Sequence, residues 1–272
     1  SVLDHGLLYG DGCFEGIRVY NGRIFKLRSH VERMHASAAK LHLEPPYSIQ
    51  QIEEAIRATV EANDVHNGYV RLVYPRGVGT LGLNPFSCGN PQAIIIAATI
   101  ALYPDSMYEE GMPVVVATRP RIPIDCLDPA IKSLNYLNNI LAKVEAIEAG
   151  VLEALMLNTD GEVSECTGDN IFIIHNGAIR TPPTTAGILN GITRGFVMEE
   201  LAPSLGFTIE EATLRLDDVL TADEVFLTGT AAEIIGVNKI DDTEIGDGRV
   251  GPITKRLTEA FRQCVRENAP EN

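Results

Sequence analysis

The sequence predicts an α+β fold. Three observations point there. Strand-like and helix-like segments are mixed without a regular βαβ alternation. Asn21-Gly22 follows the strand-like run Ile17–Tyr20 as a hairpin turn, and Asn176-Gly177 follows Ile171–His175 in the same way. Long amphipathic stretches separate the strand-like runs.

Taken in order, Leu7–Tyr9 and Ile17–Tyr20 read as short strands. Ser29 stands where a helix N-cap is expected, for a helix running to about Leu41. A second helix covers about Ser48 to Ala62 and closes at Asn63. Tyr69–Tyr74 alternates as a strand, and the nearly continuous apolar run Gln92–Ala101 suits a central strand. The Pro-, Asp-, Glu- and Gly-containing segment 102–111 is the expected linker between a small domain, 1–101, and a larger one, 112–272. The larger domain opens with strand Pro113–Arg119 and a Pro-rich stretch. A helix over about Asn135–Ala149 is expected to bury Leu137, Leu141, Val144 and Ile147, with Gly150 at its end. Strands follow at Ala154–Asn158, Ile171–His175, Thr208–Ala212, Glu224–Leu227 and Ile234–Ile240. Helices are expected at Thr193–Leu205 and Leu216–Ala222, and a last one starts at Pro252.

The chain has 272 residues and is 45% hydrophobic, enough for one large or two modest cores. A net charge of −15 makes nucleic acid and anionic membranes poor partners. Small anionic substrates remain possible where basic residues gather. Five scattered cysteines, with no C-x-x-C pair, are not a disulfide framework and suit a reducing cytoplasm. Cys and His do not cluster at metal-ligand spacing, so no metal site is expected. No apolar run reaches membrane-spanning length, and Asp4, His5 and Asp11 break up any signal-peptide core. The abrupt motif-like opening suggests that native N-terminal residues are missing.

Gly77-Val78-Gly79-Thr80-Leu81-Gly82 spells a dinucleotide fingerprint, but loop-forming residues follow it where a helix must begin, so it reads as a glycine loop. Lys132 is more informative. It is one of six lysines and sits in an uncharged setting, between Ala130-Ile131 and Ser133-Leu134-Asn135-Tyr136-Leu137. A desolvated lysine is a nucleophilic amine of the kind Schiff-base chemistry uses. Gly187–Arg194 runs into a helix and could offer N–H groups and the Thr193 hydroxyl to a phosphate. Thr228-Gly229-Thr230-Ala231-Ala232-Glu233 is a second small-residue turn with similar donors. Glu165 puts a carboxylate just before the apolar strand at Ile171, where it could face a buried cation. Each feature alone also fits an ordinary turn, helix start or surface charge.

Together, and in this order, they resemble one family. Glu165-x-Thr167-x-x-Asn170-Ile171-Phe172, Ile179-x-Thr181 and Leu189-x-Gly191-Ile192-x-Arg194 are similar to the signature of the class IV pyridoxal-phosphate aminotransferases. Ile131–Asn139 resembles that family's cofactor-lysine segment, and likeness extends from Leu7-Leu8-Tyr9-Gly10-Asp11-Gly12 to Gly251–Lys255. The resemblance implies the type IV pyridoxal-phosphate fold, a small α+β domain with a larger pseudo-barrel domain, here lacking most of an N-terminal strand. It implies pyridoxal 5'-phosphate as cofactor and a homodimer at least.

The resemblance also implies roles. Lys132 would hold the cofactor aldehyde and serve as the base at the substrate Cα. Glu165 would pair with the pyridine nitrogen, and Tyr136 with the ring hydroxyl. Arg28 would clamp the phosphate with Ile192, Thr193 and Thr230. Asn170, Leu189, Gly191 and Gly229 complete the cofactor set. Thr230, Ala231 and Tyr69 would hold the α-carboxylate. Tyr9, Phe14, Gly16 and Leu83 would shape an apolar pocket, Leu83 coming from a partner subunit. Arg71 would receive the distal carboxylate of glutamate or 2-oxoglutarate, so that amino acids and 2-oxo acids take turns in ping-pong fashion. Asn190 departs from the family, where Lys, Pro or similar residues often stand, and Arg119 and Arg121 acquire no role.

Within the family, Phe14-Glu15-Gly16-Ile17-Arg18, Gly68-Tyr69-Val70-Arg71 and Thr228–Glu233 look like branched-chain L-amino acid aminotransferases. D-amino acid aminotransferases tend to lack an arginine at Arg71. Aminodeoxychorismate lyases do not usually carry the Gly229-Thr230-Ala231-Ala232-Glu233 ending. Both stay open as alternatives.

Overall fold

The computed structural model describes residues 1–100, 103–268 and 270. The chain forms two compact units. One holds residues 1–100, 131–136 and 265–272; the other holds 101–130 and 137–264. The division is therefore not the single cut expected near 102–111. Ala101 and Leu102 lie outside the described residues, and most of the rest of the expected linker is helix, α4 below.

The first unit opens with helix α1 (His5–Tyr9), where a strand was expected. Asp4 supplies the cap: its Oδ1 accepts from the Gly6 N–H at 2.7 Å, and Gly10 ends the helix in the left-handed region. Strands β1 (Gly12–Tyr20), β2 (Arg23–Ile24), β3 (Gly68–Pro75) and β4 (Ile94–Ala98) form an antiparallel sheet in the order β2-β1-β3-β4. The apolar run ending in β4 is thus an edge strand, with Ile94 and Ile96 exposed. Helices α2 (Leu27–Lys40) and α3 (Ile49–Ala62) cover one face. Their Val31, Met34, Ile52 and Ile56 bury against Ile17, Val19, Val70 and Leu72. Ser48 caps α3 through a reciprocal box with Gln51. Ser29 does not cap α2, which starts two residues earlier after Lys26 in the left-handed region.

Strand alternation sorts β1 and β3 by face. Cys13, Ile17 and Val19 join Val70, Leu72 and Tyr74 in the core under the helices, and Glu15 shares their side. Phe14, Gly16 and Arg18 face the other way, opposite Val73, Arg71 and Tyr69. Residues 131–136 lie along β1: Phe14 N–H donates to the Lys132 carbonyl at 3.0 Å, and Leu134 N–H to the Gly12 carbonyl at 2.9 Å.

The second unit contains α4 (Asp105–Glu110), β5 (Met112–Val116), α5 (Leu137–Glu148), β6 (Glu153–Leu157), β7 (Val163–Cys166), β8 (Asn170–His175) and β9 (Ala178–Thr181). After these, α6 (Ile192–Phe196) runs through a π turn at Val197–Leu201 into α7 (Ala202–Ser204). Then come β10 (Ile209–Glu211), α8 (Leu216–Leu220), β11 (Glu224–Gly229), β12 (Glu233–Ile240), β13 (Thr243–Glu244) and α9 (Pro252–Asn268). The mixed sheet runs β10-β9-β8-β11-β12-β5-β6-β7, with β13 on β12. Phe172 and Phe226, register partners on β8 and β11, stack at 4.7 Å in its core.

Helix α5 turns opposite to expectation. Asn139, Ala142 and Ala146 are its buried residues, whereas Leu137, Leu141, Val144 and Ile147 are exposed. Small alanines let the helix approach Ala154 and Met156 of β6 closely, which larger side chains would prevent. No described helix is long and apolar enough to cross a membrane.

Phe226→Ala should cost about 3–5 kcal/mol by opening a cavity beside Phe172. Urea denaturation measures it, and a loss under about 1 kcal/mol would contradict this packing.

Candidate active site

The first unit gathers six of the expected residues. Lys132 leaves the strap along β1 with its own N–H donating to Ser37 Oγ on α2 at 3.2 Å. Its Nζ lies 3.1 Å from the Tyr136 hydroxyl and 4.8 Å from the Phe14 ring centroid. Phe14 and Tyr136 meet edge to face at 4.9 Å. From β3, the Arg71 guanidinium lies over Phe14 at 4.5 Å and over Tyr69 at 5.5 Å. Gly16 makes room for Tyr69, because a Cβ there would land on the phenol oxygen. Burial raises the Tyr69 pKa, against the pull of Arg71 and Lys132. An amine, two phenols, a guanidinium and an aromatic wall thus share one place.

Three expected residues stand elsewhere. Arg28 is half-exposed and pairs with Glu53 on α3 at 2.8 Å, so its fork is already engaged by a carboxylate. Tyr9 is exposed on α1, edge-on to His5. Leu83 is 80% exposed on a loop.

The arginine of α2 that turns inward is Arg33. It grips Glu15 through Nε at 2.7 Å and Nη2 at 2.9 Å, while His30 Nδ1 lies 2.8 Å from the same carboxylate. Burial works to raise the Glu15 pKa, but Arg33 and His30 hold it well below the usual range. Burial lowers that of His30, which also senses Arg33 and Lys132. A neutral imidazole beside an acceptor-only carboxylate carries its proton on Nδ1 and donates it. The legible signal was alternation: a glutamate on the core side of β1 requires cations from the helix above it.

The second unit gathers the other set. Glu165 lies within β7, not in a turn, and is 5% exposed. Arg121 donates to its Oε1 through Nε at 3.0 Å and lies 2.9 Å away through Nη2. The Leu189 N–H and Asn170 Nδ2 donate to Oε2 at 2.9 and 3.2 Å. Asn170 also donates to the Leu189 carbonyl at 2.9 Å. Gly191 is needed where Asn170 Oδ1 fills the space of a Cβ, and the α6 start with buried Thr193 follows at once. On β11, Thr228 is the register partner of Asn170, so the half-buried Gly229, Thr230 and Ala231 continue from the same edge. Asp169 reaches against Gly229, and burial with Glu153 nearby pushes its pKa up to about 7. Arg121, without a role in the sequence, is the residue missed here. Its signal was a lone arginine in a Pro-rich stretch with buried carboxylates elsewhere.

Residues 12–240 match the family described as amino-transferase class IV. A putative branched-chain-amino-acid aminotransferase of Methanocaldococcus jannaschii is 47% identical over 262 residues, spanning 96% of this chain and 90% of that protein. The branched-chain-amino-acid aminotransferase of Escherichia coli K12 is 36% identical over 272 residues, spanning 96% and 86%. Among solved structures, the Escherichia coli enzyme superposes with a TM-score of 0.95 at 34% identity, covering 100% of this chain and 91% of that one. A thermophile's branched-chain amino acid aminotransferase with pyridoxamine 5'-phosphate gives 0.94 at 36%, covering 100% and 90%. The same enzyme's complex with N-(5'-phosphopyridoxyl)-L-glutamate gives 0.93 at 35%, with the same coverage.

Arg121→Met strands the buried Glu165 charge and should cost about 3–5 kcal/mol in denaturant unfolding. Adding Glu165→Gln should recover most of that loss. Equal stability of Arg121→Met and the parent would show that the pair does not hold Glu165.

Proposed function

The chain belongs to the class IV aminotransferases, and we propose on that premise that it transfers amino groups between branched-chain L-amino acids and 2-oxoglutarate with pyridoxal 5'-phosphate. Its fold is that of the type IV pyridoxal-phosphate enzymes. The observation that carries the reading is Lys132: an amine strapped to β1 by its backbone, with its Nζ 3.1 Å from a phenol and against an aromatic ring.

The residues fit the cofactor. The aldehyde meets the Lys132 amine, the ring hydroxyl the Tyr136 phenol, and the ring nitrogen the buried Glu165 carboxylate, which Arg121 keeps in one orientation. The Gly191 contact with Asn170 sets the turn that leads to Ile192 and Thr193. For the phosphate, Arg33 replaces Arg28 in our assignment. It faces Glu15 and His30 within the first unit, and His30 also senses Lys132. Ile192, Thr193 and Thr230 would join it.

When bound, pyridoxal phosphate supplies an electron sink for the carbanion at the substrate Cα. The protein supplies the rest. Lys132 Nζ takes the Cα proton and returns it, with Tyr136 holding the amine in place. Glu165 keeps a proton at the ring nitrogen. Thr230 and Ala231 N–H groups, with Tyr69, orient the α-carboxylate so that the Cα proton points at Lys132. Phe14 and Gly16 line the side-chain space. Arg71, stacked on Phe14, pairs with the distal carboxylate when glutamate or 2-oxoglutarate enters. One site then serves an apolar and an acidic substrate in turn.

The reading includes a cytoplasmic homodimer. Five unpaired cysteines and the exposed Leu81, Leu83 and Phe86 on one loop support it.

Purified protein with pyridoxal phosphate should form glutamate from 2-oxoglutarate with L-leucine, L-isoleucine and L-valine, and not with D-alanine. Arg71→Met should raise KM for 2-oxoglutarate about 10- to 100-fold while changing that for L-leucine by less than about threefold. Turnover of D-alanine alone would overturn the substrate assignment. Equal effects on both substrates would overturn the role of Arg71.

A further inference from the structure

Asn139 sits in the first turn of α5 and is buried, an uncommon place for a carboxamide unless both of its ends are used. Both are used. Its Oδ1 accepts from Arg121 Nη1 at 3.0 Å, and its Nδ2 donates to the Thr167 carbonyl at 2.8 Å. An arginine donor on one side and a carbonyl on the other leave the amide a single satisfied orientation.

The two partners belong to one structure. Arg121 grips Glu165 through Nε and Nη2, and Thr167 lies two residues after Glu165 on the same strand end. Asn139 therefore closes a ring: amide to arginine, arginine to carboxylate, backbone to Thr167, and back to the amide. Asn138 reinforces the arginine end. Its Oδ1 accepts from Arg121 Nη1 at 3.2 Å and from the Ile122 N–H at 3.0 Å, and its Nδ2 donates to the Pro120 carbonyl at 3.0 Å. Arg121 thus meets two neutral acceptors on its far side and one carboxylate on its near side. Its charge is left to Glu165.

We propose that Asn139 is a positioning residue for Glu165. By fixing both the arginine and the strand end that hold the carboxylate, it sets how firmly Glu165 keeps a proton on the cofactor ring nitrogen. The inference rests on the reading of Glu165 as partner of that nitrogen. Neutrality at position 139 is part of it. An aspartate would compete for Arg121, add a negative charge, and could not donate to the Thr167 carbonyl.

The test uses holoenzyme reconstituted with pyridoxal phosphate carrying 15N at the ring nitrogen. The parent, Asn139→Ala and Asn139→Asp are compared. For each, the apoprotein melting temperature and the dissociation constants of pyridoxal phosphate and of pyridoxal, which lacks the phosphate, are measured. In the parent, the nitrogen signal should sit at the protonated position. In Asn139→Ala it should move toward neutral pyridine, with both ligands bound about 10- to 100-fold more weakly. In Asn139→Asp it should stay protonated while both ligands still bind more weakly. Weaker binding or a lower melting temperature with an unmoved nitrogen signal in Asn139→Ala would mean a purely structural role and overturn the proposal. A loss confined to pyridoxal phosphate would place the effect at the phosphate and overturn it too. An unprotonated nitrogen in the parent would remove the reading of Glu165, and this inference with it. If Asn139→Ala does not fold, Asn139→Ser is read by the same criteria.

Discussion

A carboxylate taken out of water must be paired, and much of the second unit is arranged around that requirement at Glu165. Arg121 comes from the Pro-rich stretch after β5, Asn170 from the start of β8, and the Leu189 N–H from the turn before α6. Three segments distant in sequence converge on one side chain. Loss of any one leaves a buried charge with fewer partners, so their mutual placement is strongly specified. Asn139 ties a fourth element, α5, into the same arrangement. The first unit answers the same constraint at Glu15, where α2 supplies Arg33 and His30.

These buried pairs are weak contributors to net stability, because desolvation offsets much of their attraction. Their value is geometric. A bidentate guanidinium fixes a carboxylate in plane and direction, which a solvated glutamate lacks. Apolar burial carries the folding energy, through the β1–β3 face under α2 and α3 and through the sheet around Phe172 and Phe226. The polar networks then fix where functional side chains stand on that scaffold.

Much of the fold was legible because its signals are local. Ser48 with Gln51 marks the start of α3, the Asn-Gly turns sit beside their strands, and alternation over Tyr69–Tyr74 gives β3. What could not be read depends on distant partners. Leu7–Tyr9 became a helix because Asp4 caps it, and a five-residue segment carries too little periodicity to say so. The large residues of α5 were expected inside, yet close approach to β6 selects Ala142 and Ala146 for that face, and Asn139 is drawn in by Arg121. In α2, Arg28 and Arg33 are both plausible anion ligands by residue type. Only the third dimension shows that Arg28 faces Glu53 while Arg33 faces Glu15. Arg121 had no reading at all, since its partner lies 44 positions along the chain.

The central claim is that Lys132, among six lysines, is the amine that holds the cofactor. The most direct measurement is reduction of the pyridoxal phosphate-loaded protein with borohydride, followed by peptide mapping of the fixed label. The account predicts label on the peptide containing Lys132, in amounts matching the bound cofactor, and none in Lys132→Ala. Label on Lys26, Lys40, Lys143, Lys239 or Lys255 instead, or retention of stoichiometric label in Lys132→Ala, would contradict it.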